Sequence, residues 1–151
     1  MTLKTTLLTT FAAALLATGA ARSDDAEKPK GDLGKLQGVW TAKPGPEMDS
    51  ETKITFKGGE MKIAITDPDG EEQAMEGIIV LDETAKPNKA ITFMGFIRPN
   101  GSSVPENLGI YHFDGDDRLW LCAGGPGKDR PTEFKAGEGG PPQLIVLTRK
   151  K

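Results

Sequence analysis

The chain holds one cysteine, one histidine and one tyrosine among its 151 residues. A single thiol cannot close an internal disulfide, so the fold must rest on its core and not on covalent staples. One Cys and one His fall short of the soft ligands of a closed structural zinc site. A Ser-His-Asp or Cys-His catalyst would have to use His112, which sits in Gly109-Ile110-Tyr111-His112-Phe113 without a surrounding motif. No basic patch with interleaved aromatics occurs, and lysines alternate with acids at a net charge of −3, so nucleic acid is not an expected partner. After the N-terminus no apolar run is long enough for a membrane span. Helical periodicity is scarce as well, and 19 glycines and 11 prolines are too dense for long helices.

Residues 1–23 carry the pattern of a secretory signal peptide. Lys4 supplies the charge, Leu7 to Ala17 the apolar stretch, and Thr18, Gly19, Ala20 and Ala21 the small residues. Cleavage after Ala20, Ala21 or Ser23 is compatible with this pattern, and loss of Lys4 with the leader takes the charge to one unit below −3. The lone Cys122 lies far from the leader, which argues against a lipoprotein. Residues 24–35, polar and carrying Pro29, Gly31 and Gly34, read as a flexible linker. Residues 36–151 then form one domain, of a size that folds without staples.

Within that domain the pattern is strand, turn, strand. Thr52, Ile54 and Phe56 alternate with Lys53, Thr55 and Lys57, and Met61, Ile63 and Ile65 with Lys62, Ala64 and Thr66. Gly58-Gly59, Asp67-Pro68-Asp69-Gly70, Pro87-Asn88 and Asp114-Gly115-Asp116 are turn signals. Further strands fall at Gly38–Ala42, Gln73–Leu81, Lys89–Phe96, Leu108–Phe113, Arg118–Cys122 and Gln143–Arg149. Thr132–Lys135 is a candidate ninth. Short strands joined by successive hairpins favour an up-and-down antiparallel barrel over a Greek-key sandwich. The alternation names a core of Trp40, Ile54, Phe56, Ile63, Ile65, Ile79, Ile91, Phe93, Leu108, Ile110, Leu119, Leu121, Leu144 and Val146.

Motifs for chemistry fail on spacing. The acidic turn at Asp67 puts Gly70 at position four and Ile78 at position twelve, where a calcium loop needs glycine at six and glutamate at twelve. The loop Gly124-Gly125-Pro126-Gly127-Lys128-Asp129 would place Cys122 and Asp129 at the glycine and Ser/Thr positions of a phosphate loop. The 22 acids select no carboxylate pair for glycoside hydrolysis. Cys122 reads as a small buried hydrophobe, with an intermolecular disulfide as the alternative.

Four stretches, LQGVW at 36–40, LGIYHFDGDDRLWLC at 108–122, GPGKDRPTEF at 125–134 and LIVLTRKK at 144–151, give the chain a family likeness. It resembles a family of uncharacterised exported planctomycete proteins with a small lipocalin-like domain. The resemblance implies the barrel, here of about eight strands and closed or partly open, and implies no activity. It further implies that Gly38 and Trp40 mark the closed end. There a basic side chain from the last strand, Arg149 or else Lys150, lies over the indole.

These readings lead to an exported protein (periplasmic, cell-envelope or secreted), monomeric and non-enzymatic, that binds a small apolar molecule. The alternative is a structural or interaction module that meets another envelope protein through a packed barrel, and a hydrolase is the remotest reading. No catalytic residue, metal ligand or cofactor is expected. The candidate ligand residues are Phe56, Ile65, Phe93 and Ile110 in the interior and Lys128 and Arg130 at the mouth.

Overall fold

A computed structural model describes residues 27–42 and 50–151. The signal peptide expected at 1–23, and the start of the linker, lie outside the described residues. Eight strands run in chain order and close on themselves, each antiparallel to the next. They are β1 (Gly38–Ala42), β2 (Glu51–Lys57), β3 (Glu60–Thr66), β4 (Glu72–Asp82), β5 (Lys89–Ile97), β6 (Asn107–Phe113), β7 (Arg118–Pro126) and β8 (Gln143–Arg149). The seam between β1 and β8 pairs Trp40 with Arg149 and Ala42 with Leu147. The protein is therefore an up-and-down barrel of the lipocalin-like kind.

Closure fixes which parity of each strand faces inward. Trp40, Ile54, Phe56, Met61, Ile79, Ile91, Tyr111, Leu119, Leu121 and Leu147 make the buried core. On two strands the expected parity is reversed. In β6 the inward residues are Tyr111 and Phe113, because Tyr111 pairs with Leu121 and Phe113 with Leu119. In β8 they are Ile145 and Leu147, not Leu144 and Val146. Both strands carry apolar residues on both faces, so alternation alone could not orient them.

The linker expected through Lys35 is shorter than that. Gly31–Leu36 forms a six-residue helix, α1, against the end of the barrel where β1 begins. Leu36 is fully buried and Leu33 packs on the core. So short a helix has no stability of its own. Its two apolar residues and the buried Asp32 hold it in place by tertiary contact, a signal that helical periodicity does not register. Thr132–Lys135 is likewise not a strand. It belongs to a strap, residues 127–142, that folds back along the outside of β5, β6 and β7.

A bulge shapes the opposite end. Glu76 pairs with Ile97 and Ile78 with Met94, so β5 carries one residue more than β4 between these pairs. Gly95 takes φ +68°, which the extra residue of such a bulge requires. Gly77 then lies under the Phe96 ring, where a Cβ would stand 2.2 Å from a ring carbon.

Candidate functional site

The two ends of the barrel differ in kind. At the α1 end the interior is filled. The Trp40 indole donates to Leu36 O at 2.7 Å, and its ring lies 6.4 Å from Phe113, which in turn meets Tyr111 edge-on at 6.0 Å. Arg149 stacks over Trp40 at 4.2 Å from the ring centroid. Its guanidinium also donates to Gln37 O at 2.7 Å, Lys35 O at 2.5 Å and Asp116 O at 3.1 Å, tying the last turn of α1 to the last strand.

A charged group lies beside this plug. Asp32 Oδ2 accepts from Lys89 Nζ at 2.6 Å and from the Tyr111 hydroxyl at 2.9 Å, and its backbone N–H donates to Glu83 at 2.9 Å. Burial would raise the Asp32 carboxyl, but the hydrogen bonds from Lys89 and Tyr111 and the nearby cations outweigh it and hold it below the ordinary carboxylate range. Burial and the adjacent Asp32 charge push the Tyr111 phenol well up. Every partner in the group is committed to another, which makes it a brace for α1.

At the other end lies a cavity of about 410 Å³ inside the barrel, partly open to solvent. Its walls are Ile54, Met61, Ile63, Ile65, Met75, Phe93, Phe96, Leu121, Ala123 and Ile145, with Val104 and Pro105 of the β5–β6 loop leaning over the rim. That loop is held by the Val104 N–H donating to Phe96 O at 2.8 Å and by a bridge between Ile97 and Ser103. Among the described residues the polar members are Thr52, Asn107 and Gln143, and none of those lining the cavity is charged. Asn107 Oδ1 accepts from Gly125 N–H at 3.0 Å. Thr52 is buried, 4 % exposed, and its hydroxyl has no hydrogen-bond partner among the described residues.

The candidate ligand residues divide accordingly. Ile65 and Phe93 line the cavity. Phe56 lies in the filled core and does not reach it. Ile110 is a correction: it sits on the outer face, 2 % exposed, because the strap covers it. Neither Lys128 nor Arg130 lines the cavity. Lys128 is exposed at the start of the strap. Arg130 pins the strap to the wall through Ile91 O at 2.8 Å, Gly109 O and the Thr92 hydroxyl at 3.2 Å. Asn88 donates to Thr132 O at 2.9 Å, Phe134 meets His112 edge-on at 6.3 Å, and the Cys122 thiol donates to Lys135 O at 3.5 Å. His112 and Cys122 thus stand outside the barrel, away from the cavity.

The alternation pattern placed Ile65 and Phe93 but missed Thr52 as a site residue, since a threonine on a strand has no spacing that marks it. Val104, Pro105 and Asn107 were missed because they come from a loop and a strand end. No helix among the described residues is long and apolar enough to cross a membrane. Comparison with protein-family models, curated proteins and solved structures yields no match. The class is therefore set by the fold and cavity together: a small closed barrel with one plugged end and one open apolar end.

Proposed function

We propose that this protein is an exported, non-enzymatic binding module whose barrel takes up one small apolar molecule. The observation that carries the reading is the open cavity of about 410 Å³ with apolar walls at the end away from Trp40. Its size lies in the range of small-molecule sites, and its largely preformed walls fit that use. A packed interior, which the structural-module reading requires, would have no such space. The leader pattern at 1–23 supports export, and the barrel supports the likeness to the planctomycete lipocalin-like proteins.

The test is titration of the protein with N-phenyl-1-naphthylamine, a dye that brightens in apolar surroundings. One site per chain is expected, abolished by Ile65→Trp at the cavity wall while the circular dichroism stays unchanged. Native mass spectrometry of the protein from its own cells should show a small adduct. An unresponsive dye and an adduct-free spectrum together would remove the reading.

A second reading draws on the outer face of β4, where Ile78 is 51 % and Val80 50 % exposed. Two adjacent bare aliphatic residues suit contact with another envelope protein. Cross-linking in the producing cells from position 80 distinguishes this from simple ligand carriage.

A further inference from the structure

Thr52 is the one lining residue of the cavity whose polar atom is both buried and unpartnered among the described residues. It is the second residue of β2, and its register partners are Ala42 and Ile65, neither of which offers a side-chain acceptor or donor. Buried hydroxyls normally find a partner, and one that does not destabilises the folded state. Asn107 has its carbonyl oxygen occupied by Gly125 N–H, and Gln143 is exposed at the rim. Deeper in, the walls at Ile54, Met61 and Leu121 are apolar.

Resting on the cavity reading above, we infer that the bound molecule is neutral and apolar with a single carbonyl or hydroxyl oxygen, which Thr52 holds by a hydrogen bond. The molecule enters tail first, its hydrocarbon against Ile54, Met61 and Leu121 and its oxygen at Thr52 in the outer part of the barrel. An anion is disfavoured. Among the described residues no Lys, Arg or His lines the cavity, so a carboxylate held by these walls would lose its hydration with no cation among them to replace it.

A series of nine-carbon probes tests this: nonane supplied as vapour, nonan-2-one and nonanoate, each against the wild type and Thr52→Val. Calorimetry gives affinities for the soluble probes, and the ligand-induced rise in melting temperature covers all three. Thr52→Val keeps the side-chain volume and deletes the unpaired hydroxyl, so it should fold at least as stably. Nonan-2-one should bind Thr52→Val about tenfold more weakly than wild type, the worth of one hydrogen bond, while nonane stabilises both alike. Thr52→Ser, which keeps the hydroxyl, should retain the ketone affinity. Nonanoate should bind the wild type at least tenfold more weakly than the ketone.

Equal ketone affinity in wild type and Thr52→Val, with nonane stabilising both, overturns the role of Thr52 and leaves the cavity reading intact. Nonanoate bound as tightly as the ketone overturns the neutral ligand. Failure of nonane and nonan-2-one to act on either protein brings down the cavity reading itself.

Discussion

The guanidinium of Arg149 stands 4.2 Å from the ring centroid of Trp40, its direct partner across the seam where the barrel closes. One side chain thus joins the last strand to the first and, through Lys35 O and Gln37 O, to the end of α1. The stacking contributes about 0.5–2 kcal/mol, and the carbonyls of the helix end lose their donor if it is removed. Arg149→Ala should cost about 2–3 kcal/mol in chemical denaturation. In a Trp120→Phe background it should also shift the Trp40 emission. Arg149→Lys should recover only part of the loss, because an ammonium cannot stack on the indole and span two carbonyls at once. Unchanged stability and emission in Arg149→Ala would show the contact to be idle.

The Asp32 group makes the closed end sensitive to acid. The folded carboxyl titrates below its unfolded value of about 4. A depressed carboxyl contributes stability that is fully present above that unfolded value and is lost as the pH falls through the folded one. The melting temperatures of wild type and Asp32→Asn should therefore differ by a constant amount at neutral pH and converge below about pH 4. Asp32→Ala, which strands the buried Tyr111 hydroxyl, should cost about 2–4 kcal/mol at neutral pH. Parallel curves down to the acid limit would contradict this linkage.

What the sequence reveals here follows from how local each signal is. The hairpins carry recognisable turn signals, and β2 and β3 alternate cleanly because one face meets water, so strand order can be read directly, whereas closure is seen only in the pairing of β1 with β8. β6 and β8 are apolar on both faces, for reasons that lie elsewhere in the chain. Ile110 and Cys122 are covered by the strap, and nothing within LGIYHF or LWLC reports that a loop from residue 127 onward lies over them. The same gap explains Arg130. A cation in a glycine-rich loop resembles a ligand contact until the carbonyls of Ile91 and Gly109 are seen to accept from it. Asp32 is the clearest case, a charge in a polar, glycine-bearing segment whose burial depends on Lys89 and Tyr111, more than fifty residues away.

Gly77 couples the bulge to the cavity. The Phe96 ring covers it so closely that a Cβ would meet three ring carbons, the nearest at 2.2 Å. Phe96 also lines the cavity, so a ring displaced from Gly77 has to move along the cavity wall. Gly77→Ala should cost about 1–3 kcal/mol as an overpacked site. It should also weaken binding of N-phenyl-1-naphthylamine. Gly77→Ala/Phe96→Leu should recover stability over the single variant, since the smaller side chain gives the methyl room. A double variant no more stable than the single would place the strain elsewhere than the ring.

The strap makes its own claim through Cys122. The thiol is 1 % exposed and raised by burial, and it donates to Lys135 O. A buried thiol with little thiolate reacts slowly, so Cys122 should resist a disulfide exchange reagent in the native protein. Its accessibility then measures how firmly the strap is held. Arg130 supplies that hold, with donors to Ile91 O, Gly109 O and Thr92 Oγ, while Asn88 secures Thr132 O further along. Arg130→Ala should speed Cys122 labelling by about tenfold or more, one hydrogen bond to a charged group being worth about 1.5–3 kcal/mol. Dye binding in the cavity should stay unchanged, because Arg130 does not line it. A ligand-binding Arg130 gives the opposite pattern, lost dye binding with slow labelling. The two assays together therefore decide whether this cation serves the strap or the site.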